Sequence, residues 1–170
     1  TQRVVEIARS AGFGSLSFDL IYGLPLQNSR SFTKTIDQVI KIRPDRLSLY
    51  NYAHLPNRFR AQRHINAVDL PSPAEKMALF NNAVAALEAA GYDYIGMDHF
   101  ALPDDELAVA RRAGRLHRNF QGYSTRPDCD LIALGASAIS KIGSSYSQNF
   151  RGVKEDCEGV GQGVLPVLRG

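Results

Sequence analysis

Two kinds of hydrophobic pattern alternate in the N-terminal part of the chain. Apolar residues recur at helical spacing up to Ala11, and Gly12 follows as a residue that readily ends a helix. Between Leu16 and Tyr22 apolar and polar residues alternate instead, which predicts a strand. Asp19 is the carboxylate inside that strand, on the face opposite the aromatic and leucine side chains.

A second helix and a second strand follow at once. Residues 32–40 place apolar side chains on one helical face, the pattern ends by Pro44, and residues 47–52 predict a strand. Strand, helix and strand in this order predict one parallel crossover unit. In a parallel barrel, Asp19 would then point inward, near the C-terminal strand ends where such folds bind ligands.

The later part of the chain has more turn signals and shorter elements. Residues 53–73 are rich in proline and predict a long loop, so we place a domain boundary near residue 70. Ser72 and Glu75 form the start signature of a helix that runs to Ala90. Further elements are expected as follows: a short strand over 92–97, a helix opening at 104–106, a buried strand over 131–142, and turns at Gly159, Gly161 and Gly163.

Composition narrows the class of protein. The 170 residues are 44% hydrophobic and 22% charged, which is ordinary for a globular protein and excludes disorder and collagen. The same composition predicts no membrane span. We expect no nucleic-acid binding, because the net charge of +3 comes from bases that are scattered along the chain. The densest basic stretch, residues 58–64, is either a solvated loop or faces a small acidic ligand. Cys129 and Cys157 lack partners at metal-ligand spacing, which predicts no metal site and a reducing cytoplasmic location.

Three positions are candidates for chemistry. Asp19 either binds a ligand or hydrogen-bonds to the backbone. Asp98 and His99 form an acid–base couple or a structural pair, and a structural role is favoured because neighbouring strand residues face opposite ways. Phe120 and Gln121 combine a flat ring with an amide, which suits an aromatic or macrocyclic ligand but is common in turns.

Five segments of the chain have a distinctive sequence, and in chain order they are DLIYGLP (19–25), NYAHLP (51–56), GMDHFA (96–101), PDDELA (103–108) and LHRNFQGY (116–123). Together these segments resemble the oxygen-independent coproporphyrinogen III oxidases, a family of radical S-adenosylmethionine (SAM) enzymes. Their order and spacing also match. The resemblance covers nearly the whole chain and weakens only in the glycine-rich tail.

The resemblance implies an α/β fold. It predicts the second half of a partial (β/α) TIM-like radical SAM barrel over residues 1–70. The start of the family's C-terminal α/β region, incomplete here, would follow over residues 71–170. We also expect a cytoplasmic monomer.

The resemblance implies a reaction in heme biosynthesis. In that family a [4Fe-4S] cluster reduces SAM to a 5′-deoxyadenosyl radical, which takes a hydrogen atom from a propionate of coproporphyrinogen III. Loss of CO₂ and one electron leaves a vinyl group, and two such conversions give protoporphyrinogen IX. The sequence does not identify the electron donor.

Motif position implies roles for five residues. Asp19, Ala53 and Ile139 correspond to SAM contacts, the first through its carboxylate and the second through its backbone. Phe120 and Gln121 match a stretch that reaches the active-site cavity, and they are the implied catalytic residues.

The substrate carries propionates, which need cationic partners. Arg63 and Arg118 stand inside or beside the matching motifs, and we expect them to bind these carboxylates.

The sequence departs from the family in one large respect. The CxxxCxxC motif, whose thiolates hold the cluster, is absent, so cluster ligands would lie outside this chain. The chain begins at Thr1, and we expect it to be a segment of a longer protein, inactive by itself. Two alternatives stay open: a heme-binding chaperone of the same superfamily, which the segments 96–101 and 119–123 disfavour, and an inactive truncated fragment.

Overall fold

The computed structural model describes residues 1–119 and 122–170. These residues form two compact units, Thr1–Thr125 and Arg126–Gly170, and each is described by itself. Phe120 and Gln121 lie outside the described residues.

The first unit is built around a four-stranded sheet in the order β1-β2-β4-β3. Its elements are α1 (Gln2–Ser10), β1 (Ser17–Tyr22), α2 (Ser29–Ile42), β2 (Arg46–Asn51), α3 (Pro73–Ala89), β3 (Asp93–Gly96), β4 (His99–Ala101), α4 (Glu106–Arg112), β5 (His117–Asn119) and β6 (Gly122–Ser124). β1 and β2 are parallel, which confirms the predicted crossover unit, whereas β4 runs antiparallel to both of its neighbours. β5 and β6 form a separate antiparallel pair.

The main core lies between this sheet and the helices α2 and α3. Phe18, Leu20 and Tyr22 of β1 turn to the helices, as the alternation along the strand predicts. The fully or nearly fully buried side chains of this core are Phe32, Ile36, Val39, Leu47, Leu49, Leu79, Ala83, Leu87, Tyr92 and Phe100. Burial of this apolar surface is what holds both helices on one face of the sheet.

The opposite face is covered only in part. Helix α4 packs there through Leu107 and Ala108 against Ile95 and Ala101. Arg46 of β2 fastens the start of this helix with two ion pairs, to Asp105 and to Glu106, both at 2.8 Å. Burial alone would lower the pKa of Arg46, but its hydrogen bonds to these two carboxylates outweigh burial and raise the pKa, so the guanidinium stays charged.

The N-terminus of α3 carries the predicted capping box. The Ser72 hydroxyl accepts a hydrogen bond from the backbone N–H of Glu75, and the Glu75 carboxylate accepts one from the backbone N–H of Ser72. The pKa of Glu75 is lowered, first by its side-chain hydrogen bond with Ser72 and then by the backbone bond. Glu75 therefore favours the folded state above the ordinary carboxyl pKa, and this contribution is lost as pH falls through the lowered pKa.

We expect Ser72→Ala to lower the free energy of unfolding by about 1 kcal/mol at pH 7, because an orphan helical N–H loses its partner. The deficit should shrink in acid, because only in the wild type does the Ser72 side chain lower the pKa of Glu75, and this contribution is lost when Glu75 is protonated. Urea unfolding of wild type and variant at pH 7 and pH 3 measures it. Equal stability at pH 7 would contradict the expectation.

The second unit is a three-stranded antiparallel sheet with one helix. Its elements are β7 (Ile139–Ile142), β8 (Ser145–Asn149), α5 (Val153–Gly161) and β9 (Val167–Arg169), and the strand order is β7-β8-β9. The predicted buried strand over residues 131–142 is wrong for most of its length. Ile132 is 73% and Leu134 88% exposed, and positive φ at Gly135 and Ser137 breaks the extended backbone before β7.

The predicted glycine-rich turn region is also wrong for two of its three glycines. Gly159 and Gly161 lie inside α5, and only Gly163, at φ +73°, follows the helix in a turn. A Cβ at position 159 would come within 3.2 Å of the Cβ of Pro166, so the glycine allows the segment after α5 to pack closely against the helix.

A mixed α/β fold is therefore confirmed, and the predicted boundary near residue 70 stays a prediction. Strands on both sides of that position share one sheet, since β2 pairs with β4. Among residues 1–119 and 122–170, no helix combines the length and the apolarity that crossing a membrane requires.

Candidate functional site

The sheet face that turns away from α2 and α3 carries a row of polar residues. Asp19 of β1 pairs with Ser48 of β2, and Ser48 pairs with His99 of β4, so these side chains leave the sheet on the same side. Asp19 is exposed, whereas Ser48 is buried. Two residues further along the same strands, exposed Ile21 pairs with exposed Tyr50. We call these five residues the open face.

Asp98 and His99 meet at the border of the open face. The strand β3 ends at Gly96, so Asp98 belongs to the turn before β4 and its carboxylate can reach its neighbour. Nδ1 of His99 lies 2.7 Å from Oδ1 of Asp98. The two atoms are in contact but form no hydrogen bond, and Nδ1 is buried. The expectation that adjacent residues would face apart is therefore wrong here.

The turn that presents Asp98 has an unusual backbone. Met97 has a positive φ of 53°, a backbone conformation that residues other than glycine rarely adopt. The Tyr94 hydroxyl donates a hydrogen bond to the carbonyl of Met97 and so holds this conformation in place. Burial raises the pKa of Tyr94, and the nearby Tyr123 and Asp98 raise it further, which keeps the phenol a donor at neutral pH.

Tyr123 of β6 connects this turn with a cation. Its ring lies edge-on to the ring of His99 with centroids 5.1 Å apart, and the guanidinium carbon of Arg118 lies 5.8 Å from its centroid. Its hydroxyl packs over Gly96, where a Cβ would lie only 2.5 Å away. Because Gly96 also has a φ of +146°, this position accepts a side chain poorly for two reasons.

A pocket of about 710 Å³ lies beyond the carboxyl ends of β1 and β2. It is lined by Tyr22, Leu49, Asn51, Pro71, Pro73, Lys76, Met77, Phe80, Met97 and Asp98. Lys76 crosses this end of the sheet, and its Nζ donates to the carbonyl of Tyr52 at 3.2 Å. Burial raises the pKa of Tyr22, with further contributions from Asp98 and Tyr94.

The loop after β2 folds back on itself around one glutamine. The Gln62 amide donates to the carbonyl of Ala53 at 3.1 Å and accepts from the backbone N–H of Leu55. The next residue, Arg63, donates through Nε to the carbonyl of Pro56 at 3.0 Å. Two residues predicted to bind different ligands, Ala53 and Arg63, are thus held in one short loop, and both are exposed.

The remaining predicted site residues are Ile139, Phe120 and Gln121. Ile139 begins β7 in the second unit, where it pairs with Gln148 and is half-buried. The predicted catalytic residues Phe120 and Gln121 lie outside the described residues. The roles predicted for all seven site residues stay predictions, since their positions alone do not assign a ligand.

Several residues of the site escaped sequence reasoning. Ser48, Gln62 and Lys76 showed no pattern that marks a site, because none of their partners is a neighbour along the chain. Within the described residues, no group of three or more His, Cys, Asp and Glu side chains is placed to hold a metal ion. Cys129 and Cys157 are both exposed and unbridged.

Comparison with known proteins identifies a solved structure with the same fold. No protein-family model matches the chain. Its fold matches the solved structure of the coproporphyrinogen III oxidase of Escherichia coli, described as a radical SAM enzyme, with a TM-score of 0.92 and 51% identity. The match covers 99% of this chain and 39% of that one. The chain thus shares the fold of part of a radical SAM enzyme.

Curated relatives narrow the assignment. The chain is 55% identical over 170 residues to the oxygen-independent coproporphyrinogen III oxidase of Pseudomonas aeruginosa, which is 100% of this chain and 37% of that protein. It is 53% identical over 163 residues to the Escherichia coli oxidase, covering 96% of this chain and 36% of the relative. Over nearly all of its length the chain is similar to these oxygen-independent coproporphyrinogen III oxidases, and it spans a little over a third of the length of these relatives.

Proposed function

We propose that the complete gene product containing these residues oxidises coproporphyrinogen III without oxygen, and that this chain provides part of the cofactor and substrate surface. Similarity over the whole chain, with 55% identity to a named oxidase and a TM-score of 0.92 to a radical SAM enzyme, carries the proposal. In this proposal β1 and β2 are two strands of a partial barrel over residues 1–70, residues 71–170 begin a C-terminal region, and the protein is a cytoplasmic monomer.

SAM and a [4Fe-4S] cluster are the cofactors that the proposed activity requires. When bound, they supply a radical that takes a hydrogen atom from a substrate propionate, which becomes a vinyl group by losing CO₂ and one electron. The described residues hold no set of cluster ligands, so we assign the cluster to none of them. They do fit SAM, because Asp19 offers an exposed carboxylate on the open face to hydroxyl donors such as a ribose.

The residues of this chain bind and orient in the proposed mechanism. Asp19 accepts hydrogen bonds from the ribose. Ala53 contacts SAM through its backbone, which Gln62 steadies by donating to its carbonyl. Ile139 contributes apolar surface to SAM, and we assign Phe120 and Gln121 to the contact between cofactor and substrate.

Two arginines provide charge for the substrate. Arg118 is exposed, and its guanidinium lies over the ring of Tyr123, which limits its motion. Arg63 commits Nε to Pro56 and keeps its two terminal nitrogens for a carboxylate. We propose that each binds a propionate of coproporphyrinogen III.

The decisive experiment is an anaerobic turnover assay. The complete gene product, with its cluster reconstituted, is incubated with coproporphyrinogen III, SAM and dithionite, and vinyl products and 5′-deoxyadenosine are measured by chromatography. We expect both products, and neither when SAM is omitted. Tight binding of heme without vinyl product would favour a heme chaperone instead, and absence of both activities would favour an inactive protein.

The arginine roles give a separate prediction. We expect Arg63→Gln and Arg118→Gln each to raise the KM for coproporphyrinogen III about tenfold, since a charge-assisted hydrogen bond contributes about 1.5–3 kcal/mol. Arg30→Gln, an exposed arginine on α2, is the matched control and should leave the KM unchanged. An unchanged KM in either test variant would remove that arginine from the substrate site.

A further inference from the structure

His99 lies in the same row of the sheet as the proposed cofactor contact Asp19. Ser48 separates them, so their Cα atoms are two strand spacings apart, or about 10 Å. A ligand that reaches from Asp19 across the open face therefore meets His99 next. This distance is within the span of a nucleoside or of a tetrapyrrole ring.

The imidazole is held in one orientation by three neighbours. Tyr123 and Tyr50 stand edge-on to the ring, with centroid distances of 5.1 Å and 6.4 Å. The Asp98 carboxylate lies 2.7 Å from Nδ1. Such close contact on three sides fixes the direction in which the remaining edge of the ring points.

One ring nitrogen is left for a ligand. Nδ1 is buried against Asp98, yet 20% of the His99 side chain is exposed. Nε2, unlike Nδ1, is not among the side-chain atoms of the described residues that are buried without a hydrogen-bond partner. When the ring is neutral and its proton is on Nδ1, beside the carboxylate, Nε2 presents a lone pair and acts as a hydrogen-bond acceptor.

We propose that His99 binds ligand by accepting, at Nε2, a hydrogen bond from an O–H or N–H donor on the open face. The proposal deepens the proposed function and rests on it. Two ligands of that function carry such donors: the ribose hydroxyls of SAM, and the pyrrole N–H groups of coproporphyrinogen III. Asp19, buried Ser48 and His99 together give this face a row of acceptors, while Arg118 supplies positive charge beyond Tyr123.

Two substitutions separate ligand binding from a structural role. An asparagine amide at position 99 occupies the place of Nδ1 and retains a contact to Asp98, but it does not reach the place of Nε2. A glutamine amide reaches further and offers an acceptor near Nε2. We expect His99→Asn to weaken binding of the ligand that supplies the donor about tenfold, and His99→Gln to restore most of it.

The measurements use the complete, cluster-reconstituted gene product. Equilibrium dialysis with labelled SAM gives the Kd of the cofactor, and turnover at saturating SAM gives the KM for coproporphyrinogen III. A loss confined to the first value identifies the ribose as donor, and a loss confined to the second identifies the pyrrole. His117→Gln, at an exposed histidine of β5, is the control and should change neither value.

Several outcomes would overturn the proposal. The proposal is wrong if the His99→Asn variant binds both ligands as tightly as wild type. It is also wrong if His99→Asn and His99→Gln weaken binding equally, which would show that the ring is only structural. If thermal unfolding shows that the asparagine variant does not fold, the glutamine variant is compared with His99→Met, which has a similar length and no nitrogen. Wild type that binds SAM but does not convert coproporphyrinogen III contradicts the proposed function alone, because the SAM measurement still tests His99.

Discussion

An Asp19→Asn variant of the complete gene product is expected to bind SAM about 10- to 100-fold more weakly than wild type. The substitution keeps the size of the side chain but removes its charge and replaces an acceptor oxygen by a donor. A hydrogen bond to a charged group contributes about 1.5–3 kcal/mol, which corresponds to this range. Turnover at low SAM concentration should fall by a similar factor, because fewer molecules hold the cofactor.

The position of Asp19 allows an effect on SAM binding to be separated from an effect on folding. Its side chain leaves β1 on the face away from the helix-packed residues Phe18 and Leu20, so the variant should fold normally. Asp37→Asn, at an exposed position of α2, makes the same chemical change away from the open face and is the matched control. Equilibrium dialysis compares the three proteins. Equal SAM affinity in all of them would remove Asp19 from the cofactor site.

The second large effect concerns stability. Phe100→Ala is expected to lower the free energy of unfolding by about 3–5 kcal/mol, the usual cost of emptying a buried aromatic site. Phe100 is 1% exposed, lies opposite Leu47 and Tyr94 in the sheet, and packs its ring 5.1 Å from that of Tyr94. Neighbouring strands restrict collapse into the cavity, which places the cost in the upper part of the range.

Urea unfolding measures this loss, and Phe13→Ala provides the comparison. Phe13 is 61% exposed between α1 and β1, so the same truncation there should change stability by less than about 0.5 kcal/mol. A similar, small effect at both positions would mean that the packing around Phe100 does not hold the sheet. The SAM affinity of the folded Phe100→Ala protein should be retained.

Local patterns were sufficient for the elements that bury one continuous apolar face. β1, α2 and β2 follow from periodicity because each has its apolar side on the shared core, and α3 follows from the pairing of Ser72 with Glu75. β4 was missed because His99–Ala101 is too short to show a period. The predicted buried strand was wrong over residues 131–138, because the small and apolar residues there are largely exposed.

Local sequence patterns likewise predicted some features of the candidate site and not others. Alternation along β1 was enough to place Asp19 on the face opposite the core. A pair of Asp98 and His99 was predicted, but strand periodicity argued against their contact, because the contact depends on β3 ending at Gly96 and on the positive φ of Met97. The hydrogen bonds of Gln62 arise from a loop that folds back over several residues, and no local preference specifies such a path.

The close packing of Tyr123 on Gly96 ties together two positions that are far apart in sequence. A phenol at 123 occupies the space that any side chain at 96 would need, since the two would meet at 2.5 Å. Over evolutionary divergence the two sites should therefore change as a pair. A homologous chain that gains a side chain at position 96 is expected to lack the hydroxyl at 123, as a phenylalanine does, and so to keep the ring that separates His99 from Arg118 without the atom that fills the space over position 96.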